Sequence, residues 1–286
     1  MVINSRLGLD TVAQFGRVLS QFARLCCAYF SMGVDGLGAP YGTRFPRRTL
    51  PHALALTDNA PMAATLRRLH GDIPGQGVAV LAARLDPAPD EAFAARLSAR
   101  LARLDSRDGP LHRPLHWAWV SRIERFKGTA TLAALARLRP DDRFDVFGPL
   151  QDSLEALGLM LPNITHRGIL PDVAAADFSK HDGFLFTSLF EGMPNIVLEM
   201  SQHAIPMVLA DVGGLRETLT DASALFVPQG PDAQAAAAAF SAALDRAARL
   251  TTEECAAMIE LARARVAQCH SPAAHAGGVA ALFGDR

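Results

Sequence analysis

From residue 117 to residue 227 the chain repeats one pattern: a short apolar run, a loop rich in Gly or Pro, then a segment with helical spacing. The strand candidates lie at 117–121, 144–147, 164–166, 183–188, 206–210 and 224–227. The helical segments lie at 128–138, 152–157, 171–178, 194–203 and 214–219. Strands that alternate with helices in this way pair in parallel, and both faces of the resulting sheet are covered. Two longer helices are expected at 233–250 and 252–268. Thr251-Thr252 followed by Glu253-Glu254 is a well-formed start for the second. Ser271-Pro272 opens a last helix.

The first 87 residues are less regular. They read as strands at 2–4, 25–30, 53–57 and 78–82, with helices at 7–22 and 60–69, and a glycine-rich loop at 33–42. Gly36-Leu37-Gly38 in that loop is not a dinucleotide fingerprint, because no helix with a third Gly follows. Residues 88–115 read as a linker with one helix at 91–104. At 286 residues, half of them apolar and with net charge −1, the chain has ample core and no basic surplus that would suggest nucleic acid. No apolar run approaches the ~18 residues of a membrane span, and no signal peptide is visible. Cys26, Cys27, Cys255 and Cys269 fit no disulfide or metal spacing, and the histidines show none either. A reducing cytoplasm is the expected compartment.

The segment 183–199 carries the chemistry. Gly-Phe-Leu-Phe-Thr-Ser reads as a buried strand, Glu191-Gly192-Met193-Pro194 as a loop, and Asn195 onward as a helix. In a parallel sheet, ligands bind at the carboxyl ends of strands. Pro194 suits a first helical position, leaving the N–H groups of Asn195, Ile196 and Val197 to face an anion such as a diphosphate. Glu191 and Glu199 flank that anion. Direct contact would be repulsive, so sugar hydroxyls are their natural partners.

The spacing Glu191-x7-Glu199 behind a buried strand resembles the signature of retaining GT-B glycosyltransferases of the large group 1 family. Trp117-Ala118-Trp119-Val120-Ser121-Arg122, running on to Lys127-Gly128, is similar to that family's strand with its Arg and Lys-Gly. His166-Arg167-Gly168 is similar to its loop near the nucleobase, and Gly213-Gly214-Leu215-Arg216-Glu217 to its Gly-Gly-x-x-Glu turn. The motifs follow in the family's order across residues 116–230.

The resemblance implies an α/β fold of GT-B type: two Rossmann-like domains with a cleft between them. It places a partial acceptor-side domain at 1–87, the donor domain at 116–268 and a tail crossing back at 269–286. It implies that Arg122 and Lys127 hold the donor diphosphate, that Glu191 binds the transferred sugar and that Glu199 binds the ribose. Gly168 and Ile169 line the base pocket. Backbone near Met193, Asn195 and Ile196 contacts phosphate or sugar, and Glu217 touches the donor pocket. It also implies that no metal or other cofactor is needed, because Arg, Lys and a helix start neutralise the leaving diphosphate. The expected activity is retaining transfer from a nucleotide-diphosphate sugar to a glycan, lipid-linked or protein acceptor, in glycan or cell-surface polysaccharide synthesis.

The N-terminal domain is expected to be incomplete. Met1 is followed at once by a mid-domain strand, and Asn4-Ser5 falls where the family often carries a catalytic His. A partner chain could cover the bare sheet edge. Peripheral association with the inner face of a membrane stays open. The alternative reading is a nucleotide-sugar binding fragment without turnover.

Overall fold

The computed structural model describes residues 2–3, 6–21, 25–28, 49, 52–70, 77–105 and 114–283. The first part comprises β1 (Val2–Ile3), α1 (Arg6–Leu19), β2 (Cys26–Ala28), β3 (Leu54–Thr57), α2 (Ala60–His70) and β4 (Val78–Val80). Helix α3 (Asp90–Asp105) leads to the second part. There β5 (His116–Val120), α4 (Thr129–Leu138), β6 (Arg143–Phe147), β7 (Ile164–Gly168), β8 (Gly183–Phe186), α5 (Asn195–Met200), β9 (Met207–Ala210), α6 (Leu215–Thr218) and β10 (Leu225–Val227) follow. Three helices close the chain: α7 (Ala233–Ala248), α8 (Thr252–His270) and α9 (Pro272–Phe283).

Both sheets are parallel. The first runs β1-β2-β3-β4 in sequence order; the second runs β10-β9-β8-β5-β6-β7. Strand order in the second sheet therefore reverses between β5 and β8. The chain leaves β5 toward β6 and β7, then returns to add β8, β9 and β10 on the other side. Such a reversal opens a crevice between the loops that leave the two central strands.

Burial explains the sheet. Every residue of β8 and β9 is buried, as expected for central strands covered on both faces. On β5, Trp117 and Trp119 are buried and each indole finds a partner: Trp117 Nε1 donates to Asp142 and Trp119 Nε1 to Thr187 Oγ1 at 2.9 Å. One continuous core joins β5, β6, β8, β9, α4 and α7. Cys26 and Cys27 are buried and unbridged in the first sheet.

Two segments expected to be helical are not. Residues 152–157 form a single turn, ended by Gly158 in the left-handed region at φ 69°. Residues 171–178 form a turn and an extended stretch. There the Asp172 carboxylate accepts from the Ala174 N–H, and arginines of α3 donate to two of the segment's carbonyls. Arg96 donates to Ala174 O and Arg100 to Phe178 O. Arg100 also donates to the carbonyls of Ala204 and His181. The expected loop at 33–42, with Gly36 and Gly38, and Asn4-Ser5 lie outside the described residues.

The two halves are tied together where the chain crosses between them. Between β4 and α3, Leu85 N–H donates to His270 O at 2.7 Å, where α8 ends. Helix α9 then lies against the first half: His275 Nδ1 is 2.8 Å from Ala82 O, and Leu282 packs on the cluster of Cys26, Ala28, Leu54 and Leu56.

Candidate functional site

The loops after β5 and β8 meet at the reversal. A 3-10 turn at Arg125–Lys127 ends on Gly128, in the left-handed region at φ 73°. A Cβ on Gly128 would lie 1.8 Å from Thr187 O, so only glycine lets the two loops come this close. Leu189 N–H donates to Phe126 O, and Thr187 Oγ1 donates to Lys127 O, each at 2.9 Å. This stitching carries the Lys127 ammonium to 2.6 Å from Glu191 Oε1, and Ser188 Oγ donates to the same oxygen at 2.5 Å. Both charged side chains are mostly shielded, 15% and 12% exposed, so their attraction is less screened than that of a surface pair.

The other expected residues lie on α5, at the end of β7 and in the loop after β5. Glu199 sits about one turn into α5, half-buried; burial first, and then the Asp172 charge, raises its carboxyl above the ordinary range. Gly168, at φ 82°, ends β7, and Ile169 beyond it is a large apolar side chain 66% exposed. Asn195 is exposed and Ile196 half-buried at the start of α5. Arg122 stands apart: its guanidinium pairs with Glu124 at 3.0 Å on the surface.

Three local expectations change. Pro194 is the cap of α5 and Asn195 its first residue. Val197 N–H donates back to Pro194 O at 3.0 Å, so it does not face a ligand. Met193 N–H, expected to contact phosphate or sugar, donates to the buried Asp58 carboxylate at 3.1 Å.

That last bond reveals residues sequence reading passed over. Asp58 and Asn59 follow β3 and meet the loop after β8. Asn59 Nδ2 donates to Asp58 Oδ1 at 2.7 Å, and Asn59 Oδ1 caps α2 by accepting from Met62 N–H at 2.8 Å. Gly192 permits the contact, because a Cβ there would be 2.6 Å from Asp58 Oδ1. Glu217 joins from the other side: its Oε1 accepts from Ala60 N–H, also at the start of α2, at 2.8 Å. Burial is the main cause that raises the Asp58 carboxyl; the Met193 and Asn59 bonds oppose it, and the Glu191 charge adds to it. The signal available in sequence was a Thr57-Asp58-Asn59-Ala60-Pro61 turn from strand to helix.

A Lys–Glu pair thus sits at the reversal point of a doubly wound sheet, with a second Glu on the following helix. Residues 115–246 match the family described as glycosyl transferases group 1. The group 1 match spans β5 through most of α7 and includes all the motifs named above. Similar solved structures extend over both halves. They include Anabaena HepE in complex with UDP, at 16% identity, covering 99% of this chain and 78% of that one, with a TM-score of 0.67. Sucrose-phosphate synthase from Thermosynechococcus elongatus is 20% identical, with 99% and 72% covered and a TM-score of 0.68. A UDP-forming α,α-trehalose-phosphate synthase from Burkholderia xenovorans is 13% identical, with 98% and 72% covered and a TM-score of 0.67. The fold is thus α/β of GT-B type. No curated protein sequence matches the chain. No described helix is long and apolar enough to cross a membrane.

Proposed function

We propose that this chain is a glycosyltransferase that moves a sugar from a nucleotide-diphosphate sugar to an acceptor hydroxyl, with retention of configuration. The observation that carries the reading is the 2.6 Å Lys127–Glu191 pair held at the β5/β8 reversal, inside the segment that matches group 1 glycosyl transferases. Among the similar structures, HepE is in complex with UDP and with UDP-glucose, which favours a nucleoside diphosphate as the leaving group.

In this reading Lys127 exchanges its bond to Glu191 for one to the donor diphosphate, and Arg122 swings in from the rim to share that charge. Glu191, freed from Lys127, accepts a hydroxyl of the transferred sugar while Ser188 still holds it. Glu199 accepts the ribose hydroxyls, and Ile169 packs against the base beyond Gly168. Asn195 and Ile196 present backbone N–H groups to phosphate or sugar. Glu217 and Met193 hold the donor loop against α2 and Asp58. Charge building on the departing diphosphate is met by Lys127 and Arg122, so the step needs no metal there. The acceptor oxygen attacks the anomeric carbon from the face the diphosphate leaves, and a diphosphate oxygen takes its proton. Glycan or cell-surface polysaccharide synthesis is the setting we favour, with a cytoplasmic site of action.

The test is calorimetry of the full chain with UDP, GDP, ADP and their sugar conjugates, followed by assay of donor hydrolysis or transfer. Tight binding of one nucleotide with turnover supports the reading. Binding without turnover supports a nucleotide-sugar binding module, and binding of none overturns both.

A further inference from the structure

A second cluster of chemically capable side chains lies on the face of the sheet away from Trp117 and Trp119. Strand alternation puts His116 on that face of β5. Asp145, paired in register with Ala118, shares it from β6. His181 reaches it from the segment that precedes β8, pinned where its carbonyl accepts from Arg100 of α3. The three groups converge on one carboxylate oxygen. Asp145 Oδ2 is 3.0 Å from His116 Nε2 and 3.2 Å from His181 Nε2, and one ligand atom from each residue lies within 4.8 Å of the others.

The hydrogen bonding here is incomplete. His116 Nε2 is buried and, despite its closeness to Asp145, is not aligned to hydrogen-bond with it; His181 Nδ1 is buried without a partner as well. If His116 Nε2 carries a proton, that proton is misdirected. If it carries a lone pair, the lone pair faces a carboxylate oxygen. Either state is unfavourable in a buried place, and a cation among the three atoms would relieve it. Donors about 2.0–2.1 Å from a tetrahedral zinc ion stand roughly 3.3 Å apart, close to the two separations found. The remaining Asp145 oxygen is already held by Arg167 Nε at 2.9 Å, the kind of outer bond that orients a metal-binding carboxylate.

The geometry points to a divalent transition-metal site, of the zinc class, formed by His116 Nε2, Asp145 Oδ2 and His181 Nε2 with one position left for solvent. Two imidazoles and a carboxylate are a borderline donor set suited to zinc and poorly suited to calcium or magnesium. The site joins β5, β6 and the segment ahead of β8, and is separate from the Lys127–Glu191 pair. Its role is to fasten these three elements.

The test is a cobalt titration of the chelator-treated full chain. The expected result is a visible absorption band typical of four-coordinate cobalt, saturating at one equivalent and bleached by zinc. In His116→Gln, which alters a partly exposed ring at a strand start, and in Asp145→Asn, affinity should fall by about 100-fold or more. Absence of the band in the unaltered chain overturns the proposal. So does a band that persists in His116→Gln, or one accompanied by near-ultraviolet thiolate charge transfer, which would place the metal on cysteine.

Discussion

Lys127 and Glu191 form a shielded ion pair at 2.6 Å, and the roles proposed for them separate by experiment. Lys127→Ala should weaken binding of a nucleoside diphosphate by about 1.5–3 kcal/mol, the scale of a charged hydrogen bond, while leaving the nucleoside almost unaffected. Equal losses for the two ligands would argue against a phosphate contact. Glu199→Ala should cost a similar amount for nucleotide and nucleoside alike, since the ribose is common to both; calorimetry with each ligand decides this. Local order placed Lys127 and Glu191 in the loops after β5 and β8 and Glu199 on the helix that follows; the roles expected of them came from the family resemblance. Asp58 was not legible. Its bond to Met193 spans 135 positions, and no local pattern announces which distant N–H a buried carboxylate will meet.

At the scale of elements, α3 is more than a linker. Arg96, Arg100 and Arg103, at spacings of four and three, line one side of the helix and donate to carbonyls of Ala174, Phe178, Ser179, His181, Gln202 and Ala204. Arg100 is nearly fully buried, so Arg100→Leu leaves several carbonyls without donors. A loss of about 3 kcal/mol or more is expected in denaturant unfolding. A change of a few tenths would show that water replaces the arginine. The stripe also meets the segment 171–178, where a helix was expected and a turn is found: Arg96 takes Ala174 O and Arg100 takes Phe178 O. His203 sits beside the same stripe. Burial first, then the Arg96 charge, holds its ring down to about 4, against an unfolded value of 6.5. The folded state therefore resists protonation, and this stability, present above pH 6.5, is lost as pH falls toward 4. The loss is on the order of 3 kcal/mol. His203→Gln should flatten the acid limb of a melting-temperature profile, and an unchanged limb would remove His203 from the account.

Across the whole molecule, the parallel pairing followed from strand and helix alternation, and the GT-B fold from the resemblance of the motifs in 116–230. The junction between them was not. Asp58 crosses it, and its raised carboxyl carries the opposite sign from His203. A carboxyl that holds its proton more tightly when folded contributes stability at low pH and loses it as pH rises through the folded value. Asp58→Asn should therefore gain in melting temperature relative to the unaltered protein as pH climbs from about 4 toward neutrality. A constant difference at every pH would show that the junction carries no such charge.

Leu85 and His270 lie side by side, joined by a hydrogen bond, and His270 is itself bonded to Ala83 O and to Thr218. Two halves linked by one strand can swing in any direction. Halves linked by two neighbouring strands behave like a door on a single pintle. Any opening of the mouth, where Asp58 reaches Met193, would be confined to one arc, and closing would return that contact to the same register.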